Sequence, residues 1–327
     1  MAEQLVRQRS LLPIGEAGPI DGWVDDDLAA VATQLFSGSP GGLLVIDSRE
    51  LIGSTARVVG TTMGELHFKA MMGLITLHVA AGMPEDGRCE TTVGEFGRLI
   101  WGADRAQGGK NTRLLVKSIL DLGSARFTVP GYDSVNQKAA KGMSNMSLLN
   151  DIFIDEAIMR SFDNEHREKI ERSELGREFG GKRTGTIAWT MNANYVQRLA
   201  ESELRRFDWV KAQQLRGVAL SLWMVFSSPR VPYRPVLEDP DLEMVEVPLT
   251  PDACSALGVL AAQDAGRRRT LNHAGDSVCR ADKSFVAFEA HGGRGRQSFL
   301  RIIRRKPAFS SMEPAYVAAS DQMVLSS

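Results

Sequence analysis

The chain has 327 residues, 43% of them apolar and 24% charged, a balance that excludes a disordered or fibrous protein. At roughly 100–200 residues per domain, that length suits about two compact units. Thirty-nine Lys and Arg face forty Asp and Glu, so the net charge of −1 says nothing about partners until it is resolved along the chain.

Cys89, Cys254 and Cys279 stand far apart with no C-x-x-C pair, so neither a disulfide framework nor a zinc knuckle is encoded. The longest apolar stretch, Val218 to Phe226, falls well short of the ~20 residues that a membrane-spanning helix needs. The first residues carry Glu3, Arg7 and Arg9 without an apolar signal segment. A cytoplasmic, unprocessed protein without a membrane partner is expected.

Charge is sharply segregated. Residues 1–60 hold eight acids against four arginines, which reads as an acidic, partly ordered leader. Pro235 to Asp264 holds seven acids and no Lys or Arg. Ala265 to Lys306 reverses the sign, with eleven Lys and Arg against three acids. A basic stripe of this kind is the footprint of a polyphosphate partner. It is equally the pattern of a solvated face that pairs with the acidic stretch before it, and charge alone does not separate the two.

The first predicted helix spans Met63 to Ala81, with Met63, Leu66, Ala70, Leu74 and Leu77 at three- and four-residue spacing. Gly82 and Pro84 stop it. Thr92 and Glu95 form a capping box for a short helix ending at Gly102. A third helix, opened by Gly108-Gly109-Lys110-Asn111 and capped by Asn111, turns Leu115, Ile119 and Leu122 inward and leaves Lys110, Arg113 and Lys117 outside. Phe127 to Val129 followed by Pro130-Gly131 reads as a hairpin arm and its turn.

The same order returns after a charged stretch at residues 156–183. Thr184 to Met191 alternates as a strand, and Asn194 caps a helix carrying Tyr195, Val196 and Leu199. One long core helix is predicted from Asp208 to Phe226, and a short one starts at Thr250-Pro251. Arg267 to Ala281 forms a helix with Leu271, Ala274 and Val278 inward. Phe285 to Phe288 and Ser298 to Ile303 are joined by a glycine-rich segment holding Arg294 and Arg296, which reads as a hairpin with a phosphate-gripping tip. Helix, short helix, basic helix and hairpin is the order of a winged helix-turn-helix. The predicted fold is therefore α+β: a first winged-helix domain over 61–155, a second over 184–308, and a tail over 309–327.

Phe207-Asp208-Trp209, the run Leu215 to Trp223, Phe226-Ser227-Ser228 and Pro232-Tyr233, followed by the arginine-rich helix and the Gly-Arg-Gly-Arg hairpin, carry a resemblance. In these features the chain resembles the plasmid replication initiators built from two winged-helix domains, and among them the TrfA-like branch. The likeness is best over about residues 184–306 and weaker over 61–133. It implies a protein that binds short direct repeats (iterons) at a plasmid origin, promotes opening of an AT-rich segment and recruits host replication proteins such as a helicase or initiator, with a monomer–dimer equilibrium. The chain departs from the family in its short, glycine-containing basic helix, where Gly275 sits mid-helix at a cost of ~1 kcal/mol relative to Ala.

Arg267, Arg268, Arg269, His273, Arg280 and Lys283 are the expected DNA-reading and DNA-gripping residues of the second domain. Arg294, Arg296, Arg301, Arg304, Arg305 and Lys306 are the expected phosphate track. Lys110, Arg113, Lys117 and Arg126 are the weaker set of the first domain. No catalytic residue, cofactor or metal site is expected. Gly108 to Thr112 lacks the first Gly and the Ser/Thr of a phosphate loop, so Ile152 to Glu156 reads as an interdomain strand rather than half of a nucleotidase. Cys254, His273, Cys279 and His291 match no zinc spacing. A winged-helix transcriptional regulator shares every DNA-binding feature, and a protein-interaction module shares the fold.

Overall fold

The computed structural model describes residues 21–25, 44–47, 50–52, 57–59, 64–102, 109–133, 138–155, 158, 185–201, 203–229, 231–259, 261–293, 296–306 and 316–318. It is a mixed helical and stranded protein with several small antiparallel sheets. No described helix is long and apolar enough to cross a membrane.

In the N-terminal half, helix α1 (Glu65–Ala80) is buried from Phe68 to Val79. Strand β5 (Arg88–Thr92) leads into α2 (Val93–Trp101), which opens on the expected box: Thr92 accepts from the Glu95 amide, and the Glu95 carboxylate accepts in return from the Thr92 amide. Gly102, at φ 86°, ends it. Helix α3 (Gly109–Ser124) buries Leu115, Ile119 and Leu122 as their spacing requires. It begins before Asn111, so Asn111 lies inside the helix rather than at its cap. His67 ties α1 to α3: its Nδ1 accepts from the Gly64 amide at 3.0 Å, which leaves Nε2 as the donor to Asp121, also at 3.0 Å.

Strands β6 (Arg126–Asp133) and β7 (Lys138–Ser147) form the expected hairpin, with one correction. Pro130 pairs with Met143, and the register shifts between Pro130 and Tyr132. Pro130-Gly131 is therefore an irregularity within the arm, and the strand continues past it to Asp133. Four described leader strands precede α1, and β1 (Asp21–Asp25) and β4 (Arg57–Val59) are built into sheets with later strands: β1 pairs with a strand of the C-terminal half and β4 pairs with β6. Between them, β2 (Leu44–Asp47) and β3 (Glu50–Ile52) pair with each other.

The boundary expected at residue 184 cuts through a sheet. Strand β9 (Thr186–Met191) lies between β5 and β8 (Leu149–Ile154), so it completes the N-terminal half instead of opening the second. Its burial explains this: Thr186 to Trp189 and Met191 are all buried, which a strand achieves only with neighbours on both edges and both faces covered. The helix after it, α4 (Ala193–Glu201), is opened by Asn192, whose side chain accepts from the Asn194 amide, rather than by Asn194.

Strand β10 (Glu203–Asp208) lies between β1 and β15 (Tyr316–Ala318). The single helix expected over Asp208–Phe226 is two, α5 (Trp209–Gln214) and α6 (Val218–Phe226). Leu215 is extended and Gly217 has φ 53°, a backbone conformation that suits glycine and that side-chain-bearing residues rarely adopt. Then come β11 (Arg234–Val236), β12 (Asp239–Pro248), α7 (Pro251–Ala256), α8 (Asp264–Ala281), β13 (Phe285–Gly293) and β14 (Arg296–Arg305). The last strands form one antiparallel sheet in the order β11-β12-β14-β13. Thr250 caps α7 through the Ala253 amide, and Gly258, at φ 78°, follows its end.

The two halves share a continuous apolar core, and α1 also reaches across with polar groups. Lys69, 3% exposed, donates from Nζ to the Leu215 carbonyl at 2.8 Å and lies 3.0 Å from Glu65. The other oxygen of Glu65 accepts from the Gly217 amide at 3.0 Å. One turn of α1 therefore supplies both a donor and an acceptor to the α5–α6 corner, whose backbone groups no helix satisfies. Lys69→Ala is expected to lower unfolding free energy by about 2 kcal/mol, the cost of leaving a buried polar group unpaired. Urea midpoints measure this, and Lys69→Met should recover part of the loss by restoring apolar contact.

Candidate nucleic-acid interface

The C-terminal basic segment folds as α8 lying across the β13–β14 hairpin. Leu271, Ala274 and Val278 are buried as expected, together with Gly275. The glycine has a physical reason: a Cβ at position 275 would overlap Phe288 of β13. The helical cost of Gly275 is therefore what permits the close crossing of helix and strand.

Both ends of α8 are fastened. At its start the Asp264 carboxylate accepts from the Ser298 hydroxyl at 3.0 Å and lies 3.2 Å from Arg268. At its end Asp282 is buried, accepting from the Trp223 indole at 2.9 Å, from Lys211 at 3.0 Å and from the Ser284 amide and hydroxyl. Burial opposes ionisation of this carboxyl, but the hydrogen bonds from Trp223, Lys211 and the Ser284 amide, with the Lys211 charge, outweigh it and hold its pKa below the ordinary value.

A helix advances about 100° per residue, so three consecutive arginines cannot share one face. Arg267 turns back and donates from Nε to the Ala261 carbonyl at 2.7 Å. Arg268 turns sideways, paired with Asp264 and donating to the Gly292 carbonyl. Only Arg269 stands on the open face, where it is joined by His273, Arg280 and the following Lys283, all exposed. Arg280 donates to the Ser277 hydroxyl and Lys283 to the Cys279 carbonyl. No described carboxylate forms an ion pair with any of these four.

Arg268 acts with a residue the sequence reasoning missed. Asn272, one turn on, accepts from the Ala290 amide at 2.7 Å. The pair grips the open edge of β13 at Gly292 and Ala290 and fixes the angle between α8 and the hairpin. Asn272 was legible only as the partner of Arg268 at i+4 spacing. Between helix and strand lies a shallow groove of about 510 Å³ bordered by Arg269, His273, Asp276 and Ala290. Asp276 is the second missed residue; a helical wheel places it on the same face as Arg269 and Arg280.

The phosphate track expected along β14 needs correction. Strand residues alternate between faces, so Arg304 shares the core side with Ile302, while Arg301 and Arg305 face away from α8. Arg301 is opposite Glu246 in the ladder and lies 2.8 Å from it, and Arg304 is opposite Glu243. Arg304 also stacks on Tyr233, 3.7 Å from the ring centroid, and donates to the Phe226 carbonyl at the end of α6. These two arginines are held by the acidic strand. Arg305 and Lys306 are exposed. Arg294 lies outside the described residues, and Arg296 is described only as the first residue of β14.

In the N-terminal half, Lys110, Arg113 and Lys117 share the exposed face of α3 with Leu114, and Lys117 lies 3.5 Å from Asp121. Arg126 is exposed at the start of β6. Three of the four lie on one face of α3, with Lys117 beside Asp121, and Arg126 lies apart on β6.

No protein-family model and no curated protein matches this chain. Among solved structures the chain is similar to a crystal structure of domains 2 and 3 of RctB, with 10% identity over 85% of this chain and 98% of that one and a TM-score of 0.45. A second crystal structure of RctB domains 2–3 gives 12% identity over 87% and 93%, with a TM-score of 0.43. Likeness at this level carries no argument about the site, which rests on the residues described above.

The Asp282 node generates a pH prediction. Because the folded carboxyl titrates below its ordinary 3.8, its contribution to stability is complete above that pH and is lost as pH falls through the lower folded value. Urea midpoints measured through the acid range should therefore fall less steeply with acidification in Asp282→Asn than in the wild type, from a lower starting midpoint at neutral pH.

Proposed function

We propose that α6 to β14 works as a winged-helix module on double-stranded DNA, in a replication initiator whose N-terminal half is a second, weaker module. The observation that carries the DNA reading is the open face of α8, where Arg269, His273 and Arg280, with Lys283 just beyond the helix end, have no carboxylate partner among the described residues. Chain order supports it: helix α6, strands β11 and β12, helices α7 and α8, then the β13–β14 hairpin, with β12 added beside β14. This order and pairing support the winged-helix reading. The N-terminal half repeats helix α1, strand β5, helices α2 and α3, and the β6–β7 hairpin, but its β5 pairs with β9 instead of the hairpin. The step from DNA binding to origin function rests on the sequence resemblance to plasmid initiators. The activity so proposed is duplex binding and opening, without catalysis or cofactor, and its partners are direct repeats and host replication proteins.

In this reading Arg269 enters the major groove and pairs with guanine O6 and N7. Arg280 and Lys283 grip phosphate, and Arg294 and Arg296 are assigned to the same grip from the sequence. Footprinting on DNA flanking the protein's own gene, with permanganate probing of thymines, tests the whole reading. Protected direct repeats beside reactive thymines are the expected result. Protection without reactivity would mark a regulator, and no protection at low salt a protein-interaction module.

Two substitution sets test the assignment of roles. Arg269→Ala should relax one base position by about 1–3 kcal/mol in competition binding. Arg280→Ala with Lys283→Ala, and separately Arg294→Ala with Arg296→Ala, should weaken binding to all sequences and reduce the salt slope by up to ~0.9 per lost phosphate contact. Arg304→Ala, by contrast, should lower the thermal midpoint while leaving the salt slope of the remaining folded protein unchanged.

A further inference from the structure

Asp276 is an acid on the most cationic face of the molecule. It is exposed and borders the groove with Arg269 and His273. His273 and Arg280 lie three residues before and four after it, yet neither forms an ion pair with it, and Arg280 bonds to the Ser277 hydroxyl instead. The carboxylate therefore forms no close ion pair with the cations beside it on this face. On a surface that meets phosphodiesters its charge is repelled, unless it reaches a base donor.

The major groove displays only two kinds of donor, the exocyclic amines of cytosine and adenine, and an acidic side chain is suited to the first. Along the helix, Asp276 follows Arg269 by seven residues, a rise of about 10.5 Å at 1.5 Å per residue. Helix residues so spaced contact bases about two to three pairs apart in the major groove. We infer that Asp276 is a specificity-determining residue that accepts from the N4 amine of a cytosine about two to three base pairs from the base read by Arg269, and that its charge suppresses binding to non-cognate duplex. The inference rests on the DNA reading above and names the chemistry of the site that α8 recognises.

The experiment is selection from duplexes randomised across the binding region, using the full chain as wild type, Asp276→Ala, Asp276→Asn and Arg269→Ala. The wild-type consensus should contain a cytosine that becomes degenerate in Asp276→Ala, with a loss of discrimination at that position of roughly 5- to 150-fold. In Asp276→Asn the same position should move toward adenine, since asparagine pairs with adenine N6 and N7. Both variants should bind random-sequence duplex more tightly than the wild type. An unchanged consensus in both Asp276 variants, with a changed one in Arg269→Ala, would overturn this inference and leave the DNA reading standing. No enrichment by the wild type would overturn both. The exposed position makes folded variants the expectation, and should alanine fail to fold, the near-isosteric asparagine variant still decides.

Discussion

The buried ammonium of Lys69 is the junction on which the arrangement of the two halves depends. Bending the chain between α5 and α6 exposes the Leu215 carbonyl and the Gly217 amide, and an apolar interior offers neither a partner. Lys69 supplies the donor to the first and Glu65 the acceptor to the second. Because both come from α1, the corner has one position relative to the N-terminal half. Thr76, two turns further along α1, repeats the device: its hydroxyl accepts from the Trp23 amide of β1 and the Trp209 indole of α5. From that corner α6 runs to Trp223, which bonds to Asp282 at the end of α8. The candidate DNA helix is thus connected to α1 through a chain of satisfied buried polar groups.

Much of this was legible in the sequence where a periodic apolar face or a local cap decides the structure. The Thr92–Glu95 box, the inward residues of α3 and α8, and the Thr250 cap follow from spacing alone, because their causes lie within a few residues. What was not legible depends on partners far along the chain. The placement of β9 between β5 and β8 is set by burial on both faces, which a short apolar strand shares with many alternatives. The break at Leu215–Gly217 was hidden because the apolar spacing runs on through it, while the compensating groups sit at Lys69 and Glu65. Gly275 read as a defect until Phe288 was seen against it.

Charge shows the same division between local and distant causes. The acidic stretch ahead of α7 and the basic stretch behind it are neither independent nor simply complementary. Antiparallel pairing of β12 with β14 sets Glu243 opposite Arg304 and Glu246 opposite Arg301, so these cations stabilise the sheet. The cations of α8 fall on a helix face that β12 does not reach. A count over the segment could not separate them, because the separation comes from two periods, 2 for the strand and 3.6 for the helix.

The division of labour within α8 bears on what it can do as a surface. Arg267 and Arg268 are used inward and sideways, to hold the preceding loop and the hairpin edge, and Asn272 completes the second of these contacts. With Asp264 bonded at one end and Asp282 at the other, the helix and hairpin form a single rigid element before any ligand arrives. A rigid element loses little conformational freedom on binding, so its few exposed side chains can act by position rather than by number. A surface with one open arginine at its N-terminal end and one open carboxylate two turns later suits reading a pattern of bases better than gripping a uniform polyanion. A surface built only for the latter gains nothing from an acid at its centre.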